Sequence, residues 1–272
     1  MINHNSNAEL LTKLTDGIME LTNQSSWRQY LKSQALFHNY SFNNTMLIAK
    51  QYPSATRVAS FNSWRKLGRI VRKGEKAIWI IAPMIYREAT DEDPVIKGFK
   101  YVPVFDLSQT DGEELPSPCA KLSGDDHLRH YEILVKVADG HGFSVEDALL
   151  PEEINGLCSH RDRTIKIKVD NSPAHRVKTL AHELSHALLH ENESNRQLAE
   201  LEAESSAYMI CQALGIDSGD YSFGYVTIWA GDPTQAVIKI RTSAERIQRT
   251  ASVILRDISS EVSAVEPLKS AG

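Results

Sequence analysis

Thr179-Leu180-Ala181-His182-Glu183-Leu184-Ser185-His186-Ala187-Leu188 is the stretch that decides how this chain is read. Its apolar residues recur at helical spacing, and among them stands His-Glu-x-x-His. Residues four apart lie one above the other on a helix, so the imidazoles of His182 and His186 can reach one metal ion. Glu183 stands beside that face, within reach of a water that the ion activates. This is the zinc-hydrolase arrangement, with the Glu as general base. The competing reading makes both histidines ordinary helix residues, since so short a motif has real false positives. Its surroundings weigh against that. The alternating strand Thr164-Ile165-Lys166-Ile167-Lys168 leads in, and Ser172-Pro173 marks a helix start.

A catalytic zinc takes three protein ligands, and one helix supplies two. The next helical segment offers Glu200, Glu202 and Glu204. Glu204 shares a stripe with Leu201, Ala207, Tyr208 and Cys211, so it is expected to point inward, where a charge needs a partner. It is the expected third ligand. Glu200, one turn earlier, is the alternative ligand, or a partner to a histidine. Glu202 is expected on the far side, His190 at the surface, and Cys211 in core packing.

Outward from this motif, the chain has 272 residues, of which 24% are charged, enough for one large or two ordinary globular domains. The three cysteines, Cys119, Cys158 and Cys211, form an odd, scattered set that argues against a disulfide framework and for a reducing compartment. No leader-like start and no membrane-length apolar run is present, so a cytoplasmic protein without a membrane partner is expected.

The net charge of −5 conceals an asymmetry. Between Ser25 and Arg87 stand 11 basic residues against the single acid Glu75, a local charge of +10 that leaves the remainder at −15. Ten of the 20 aromatic residues fall in the same region. Cations neutralise phosphates and aromatic rings stack on unpaired bases, a combination suited to single-stranded nucleic acid. Arg72, Lys73 and Lys76 around a Gly74 turn are the first candidates for contact, followed by Trp64, Arg65 and Lys66. For any one aromatic, core packing is the stronger reading.

The pattern of elements predicts an α+β protein of two domains. A basic α+β module with three early helices and the strands Ala77–Tyr86 and Phe99–Asp106 occupies residues 1–116. Pro83 marks the first of those strands as an edge or a bulge. A Ser-, Asp-, Gly- and Pro-rich stretch from Leu107 to Asp126 reads as connection, with the linker proper at 117–126. Residues 127–272 form a mostly helical, zincin-like module with a small sheet, whose later helices are expected near Phe223–Trp229 and Thr234–Ile258.

The strand T-I-K-I, then T-L-A-H-E-L-S-H-A-L-L-H and A-E-S-S-A-Y, resembles the ImmA/IrrE-type metallopeptidases and, more broadly, the HExxH gluzincins. The segments E-L-E-A-E-S-S-A-Y-M-I-C-Q-A-L-G-I and G-Y-V-T-I-W resemble the antirestriction ArdC family more closely. So do Y-S-F-N-N-T-M-L-I, S-F-N-S-W-R-K-L-G, V-R-K-G-E-K and V-F-D-L-S-Q-T-D-G in the first module. The family's Gly-containing N-terminal loop is not found around Tyr40. The resemblance implies a single-stranded-DNA-binding domain ahead of a zinc metallopeptidase domain, with the Glu matching Glu204 as third ligand. The expected function is peptidase action on proteins met on DNA, in antirestriction on a mobile element. A non-proteolytic antirestriction protein and a protease that cleaves a repressor are the alternatives.

Overall fold

A computed structural model describes residues 12, 14–86, 95–114, 126–216, 223 and 233–265. It is α+β and divides into two compact units, Met1–Met19 with Tyr40–Leu115, and Glu20–Asn39 with Pro116–Gly272.

In the first unit, α1 (residues 14–20) buries Leu14 and Ile18. Helix α3 (Phe42–Gln51) starts where the Ser41 hydroxyl accepts from Asn44 N–H. Strands β1 (Val58–Ala59), β3 (Ile78–Tyr86) and β4 (Val95–Asp106) form an antiparallel sheet in the order β1-β4-β3. β3 is therefore an edge, as Pro83 predicts, and its pairing with β4 shifts register between Met84 and Ile85. Two amides of α3 take the place of a neighbouring strand. Asn44 bonds both backbone groups of Ile81, each at 2.8 Å, and Gln51 bonds those of Trp79 at 2.8 and 3.0 Å. Asp106 closes the sheet's other end: its carboxylate accepts from Thr56 N, Arg57 N, Ser108 N and Ser108 Oγ at 2.7–2.9 Å.

Helix α4 (Phe61–Lys66) follows β1, and the turn at Gly74, with φ +92°, stands where the sequence puts it. The connection expected from Leu107 begins later, because Leu107–Gln109 is a 3-10 turn and β5 (Thr110–Gly112) pairs with β2 (Arg69–Val71). Short paired segments without alternation give no periodic signal. For the same reason β4 starts at Val95, ahead of the Phe99 at which the sequence pattern begins the strand. The linker residues 117–125 lie outside the described residues.

In the second unit, α2 (Gln24–Leu36) is capped by Asn23, whose side-chain Oδ1 accepts from Ser25 N and Ser26 N. Trp27 is fully buried there, its Nε1–H donating to Ser205 Oγ at 2.9 Å. Residues 20–39 thus pack with the second unit and not with the basic module to which sequence position assigned them. Arg28 and Lys32, two of the 11 cations, go with them. A sheet in the order β6-β8-β7 joins β6 (Ser144–Ala148), β7 (Gly156–Ser159) and β8 (Thr164–Lys168). Ile165 and Ile167 of the central β8 are fully buried and Lys166 faces out, the alternation read from sequence. Around the sheet stand α5 (His127–Gly140), α6 (Pro173–Leu189), α7 (Arg196–Ala213) and α8 (Pro233–Val265). Of the helix expected near Phe223–Trp229, only Phe223 is described. No helix among the described residues is long and apolar enough to cross a membrane.

Candidate metal centre

Ser172 Oγ accepts from His175 N–H and Pro173 takes the first turn, so α6 starts at a fixed residue and His182, Glu183, His186 and His190 fall in register. Small buried side chains on both helices, Ala181 and Ser185 on α6 and Ala203, Ser206 and Ala207 on α7, let the two pack closely. That approach brings three carboxylates of α7 against three histidines of α6.

His182 Nε2 and His186 Nε2 lie 3.1 Å apart, and the Glu200 carboxylate reaches them at 3.5 and 3.7 Å. His182, His186 and Glu200 each offer a ligand atom, and these atoms lie within 4.8 Å of one another. Glu204 is elsewhere: its Oε2 meets His182 Nδ1 at 3.1 Å, while its Oε1 lies 3.6 Å from Lys178 Nζ. Glu204 faces α6 but remains partly exposed, and a stripe does not say which of two stacked carboxylates meets which ring nitrogen. Glu202, expected on a far side, is fully buried and sits 3.1 Å from His190 Nε2. Helix α7 has no far side, because α2, α6 and α8 all pack on it. His190, expected at the surface, is likewise buried, with Nδ1 2.9 Å from His186 Nδ1. Its signal was the repeat of the four-residue spacing. Cys211 is fully buried, as packing requires.

The donor set fits a cation. Glu204 is an acceptor, so the proton of a neutral His182 sits on Nδ1 and Nε2 presents its lone pair. That lone pair faces a second imidazole nitrogen and the Glu200 carboxylate, an arrangement that a shared positive charge reconciles. Burial pushes the His182 pKa down, but hydrogen bonds to Glu200 and Glu204 outweigh it and hold the ring up at about 9. Hydrogen bonds from His182 and His186 hold Glu200 well below the usual carboxylate range. Two imidazoles and a carboxylate match the ligand classes of catalytic zinc.

Glu183 is 9% exposed. Burial raises its pKa against the pull of His182 and His186, and the Cys158 backbone N–H donates to its carboxylate. Burial, then the Glu183 charge, pushes the Cys158 thiol up to about 12, so it is no nucleophile. Gly156 on β7 is the close approach. A Cβ there would lie 2.6 Å from Thr179 Cγ2 and 2.8 Å from Glu183 Cγ. These residues line a cleft of about 710 Å³ that β7 borders, with His160, His175 and Arg196 on its walls.

The nucleic-acid candidates divide differently. Trp64 is fully buried and donates from Nε1 to Phe105 O at 2.9 Å, so it holds the core and presents no face to a base. The exposed aromatic of α4 is Phe61, at 44%, one turn from Arg65. Arg72 is engaged by Glu75 at 2.7 Å and by Asp111 at 3.2 Å, the second an acid from outside the region that the linear count covered. Arg65, Lys66, Lys73 and Lys76 are exposed and make no ion pair with another described residue.

Comparison with known proteins follows this division. Residues 6–121 match the N-terminal domain of anti-restriction factor ArdC, and residues 134–213 match the IrrE N-terminal-like domain. An uncharacterized protein of Bacillus anthracis (pXO2-81) is 26% identical over 311 aligned residues. That alignment covers 95% of this chain and 52% of the other, so the chain spans about half the length of the curated relative it matches. Crystal structures of the antirestriction ArdC protein from the R388 plasmid share the fold. The metal-free form aligns with TM-score 0.50 and 20% identity over 80% of this chain and 85% of that one. The Mn(II)-bound form aligns with TM-score 0.50 and 21% identity over 79% and 84%. Along this one chain, then, a match to the N-terminal domain of ArdC precedes a match to the IrrE N-terminal-like domain, and the fold is similar to that of the R388 ArdC protein.

Proposed function

We propose that the chain is a zinc-dependent peptidase of the cytoplasm, coupled to a module that binds single-stranded DNA, and that it serves antirestriction on a mobile element by cleaving protein met on DNA. The observation that carries the reading is the convergence of His182 Nε2, His186 Nε2 and the Glu200 carboxylate beside the buried Glu183. His182, His186 and Glu200 would hold the ion, with Glu204 orienting His182 from its other nitrogen. When bound, zinc supplies Lewis acidity and lowers the pKa of water toward about 7.

The chain's own groups do the rest. Glu183, anchored by the Cys158 N–H and raised by burial, takes the proton of the attacking water and returns it to the leaving amine. β7 keeps Gly156 against α6, which fixes the Glu183 stem and leaves the cleft open on its other side. In the first unit, Arg65, Lys66, Lys73 and Lys76 are the exposed cations for phosphates, and Phe61 is the ring for a base. The match to the ArdC N-terminal domain supports a DNA partner. The name of the R388 protein supports antirestriction.

Glu183→Gln tests the chemistry. Self-cleavage and casein cleavage, followed with and without single-stranded DNA, are expected to fall by about 10²- to 10⁴-fold while zinc and DNA binding persist. Antirestriction that survives this substitution intact would mean that proteolysis is not its mechanism.

A further inference from the structure

His186 and His182 face the same point through Nε2 but are held differently from behind. Behind His182 stands a carboxylate, Glu204, at 3.1 Å. Behind His186 stands another histidine: Nδ1 of His186 and Nδ1 of His190 are 2.9 Å apart, and the rings meet edge to face at 4.9 Å between centroids. The carboxylate comes one step later, with His190 Nε2 3.1 Å from Glu202 Oε2. Arg246 Nη2 approaches that same oxygen at 3.1 Å and also donates to Leu189 O at 3.0 Å, at the end of the helix that carries the histidines. Glu202 Oε1 has no hydrogen-bond partner among the described residues, so the carboxylate's binding is concentrated on the oxygen that faces His190.

Taken from its Glu202 end, with both imidazoles neutral, the series runs in one direction. Glu202 accepts, so His190 carries its proton on Nε2 and presents a lone pair at Nδ1. His186 must then donate from Nδ1, which leaves its Nε2 lone pair facing Glu200 and His182. One buried carboxylate, acting through one buried imidazole, thereby selects the tautomer and ring angle of His186. Burial of an arginine-paired carboxylate and a histidine is costly, and such a pair is kept where it holds something in place.

We propose that His190 and Glu202 are positioning residues for the metal centre, which hold His186 in the Nδ1–H tautomer with Nε2 free to take a divalent cation. Neither belongs to the set whose ligand atoms converge, although His190 borders the same cleft. The inference rests on the metal-centre reading above, but it concerns residues that reading does not use.

The test is zinc affinity of the chelator-stripped full chain, by competition with a chromophoric chelator, together with the nitrogen NMR shifts of the His186 ring in the metal-free protein. His190→Leu keeps bulk and removes both bonds. It is expected to weaken zinc binding roughly 10- to 100-fold and to turn His186 into a mixture of tautomers. His190→Gln, which again offers one acceptor and one donor, is expected to recover most of the affinity and the single tautomer. Glu202→Gln, of the same shape without the charge, is expected between the two. Thermal unfolding of each metal-free variant separates positioning from folding, and where His190→Leu does not fold, the Gln variants decide. Wild-type affinity and tautomer in His190→Leu would overturn the proposal. So would equal losses in His190→Leu and His190→Gln that follow their thermal stability. Failure of the wild type to take up zinc overturns the metal-centre reading and this inference with it. Zinc uptake that is indifferent to position 190 overturns only the inference.

Discussion

The cleft of the second unit and the basic face of the first use charge in opposite ways. In the cleft, His182, His186, His190, Glu200, Glu202 and Glu204 are tied to one another at 2.9–3.7 Å, with His190 and Glu202 buried and the other four partly exposed. On the basic face, Arg65, Lys66, Lys73 and Lys76 stand exposed, and the charged groups that do pair are Arg72, Glu75 and Asp111. Chemistry needs groups whose positions are fixed by their neighbours. Binding a polyanion needs summed charge, and no single cation decides it. The two regions should therefore fail differently when altered.

The sharpest contrast lies within α4. Trp64→Ala is expected to cost about 3–5 kcal/mol of the first unit's stability, as for any large aromatic removed from a packed site, and it lowers the unfolding midpoint. Phe61→Ala is expected to leave that midpoint unchanged and to weaken single-stranded DNA by about 1–3 kcal/mol, read by anisotropy. If Trp64→Ala loses DNA at unchanged stability, the division between core and face on α4 is wrong.

Asp106 is the first unit's fully engaged acid. Burial opposes its charge, but bonds from Ser108, Arg57 and Thr56 prevail and hold its pKa below the ordinary aspartate value. A depressed carboxylate contributes stability above its unfolded pKa and loses it as pH falls through the folded one. Asp106→Asn must turn its amide toward N–H donors on one side or the other. It is expected to cost about 1–3 kcal/mol at neutral pH. The same variant should flatten the acid limb of a denaturation series, and an unchanged acid limb would contradict this role.

In the cleft, Gly156→Ala places a methyl group against Thr179 and Glu183, where overpacking costs about 1–3 kcal/mol. Because the clash falls on Glu183, the proposed general base, its expected signature is a fall in cleavage that exceeds the fall in zinc affinity. Parallel losses would show that the clash spreads to the histidines.

What could be read from the chain follows the same division. The motif helix was legible because two histidines at i and i+4 on a capped helix have one geometry, and Ser172 and Pro173 fix where that helix begins. Glu200 and Glu204 were both visible as candidates. Their placement, with Glu200 beside both Nε2 atoms and Glu204 behind His182, depends on where α7 crosses α6. No single-helix pattern contains that. The burial of Glu202 and His190 comes likewise from the number of helices on α7. Trp64 illustrates the limit of composition: aromatic content flagged the region, yet α4 buries Trp64 and exposes Phe61. The placement of α2 with the second unit rests on contacts such as Trp27 to Ser205, 178 residues apart. Neighbourhood in sequence pointed the other way.

The central claim is that His182, His186 and Glu200 form the metal site and that Glu204 supports it from behind. The direct measurement is zinc titration of chelator-stripped wild type, Glu200→Gln and Glu204→Gln by calorimetry. The account predicts one ion per chain in the wild type, a loss of roughly 10- to 100-fold in affinity for Glu204→Gln, and a larger loss for Glu200→Gln. No uptake by the wild type, or a greater loss at Glu204 than at Glu200, would contradict it.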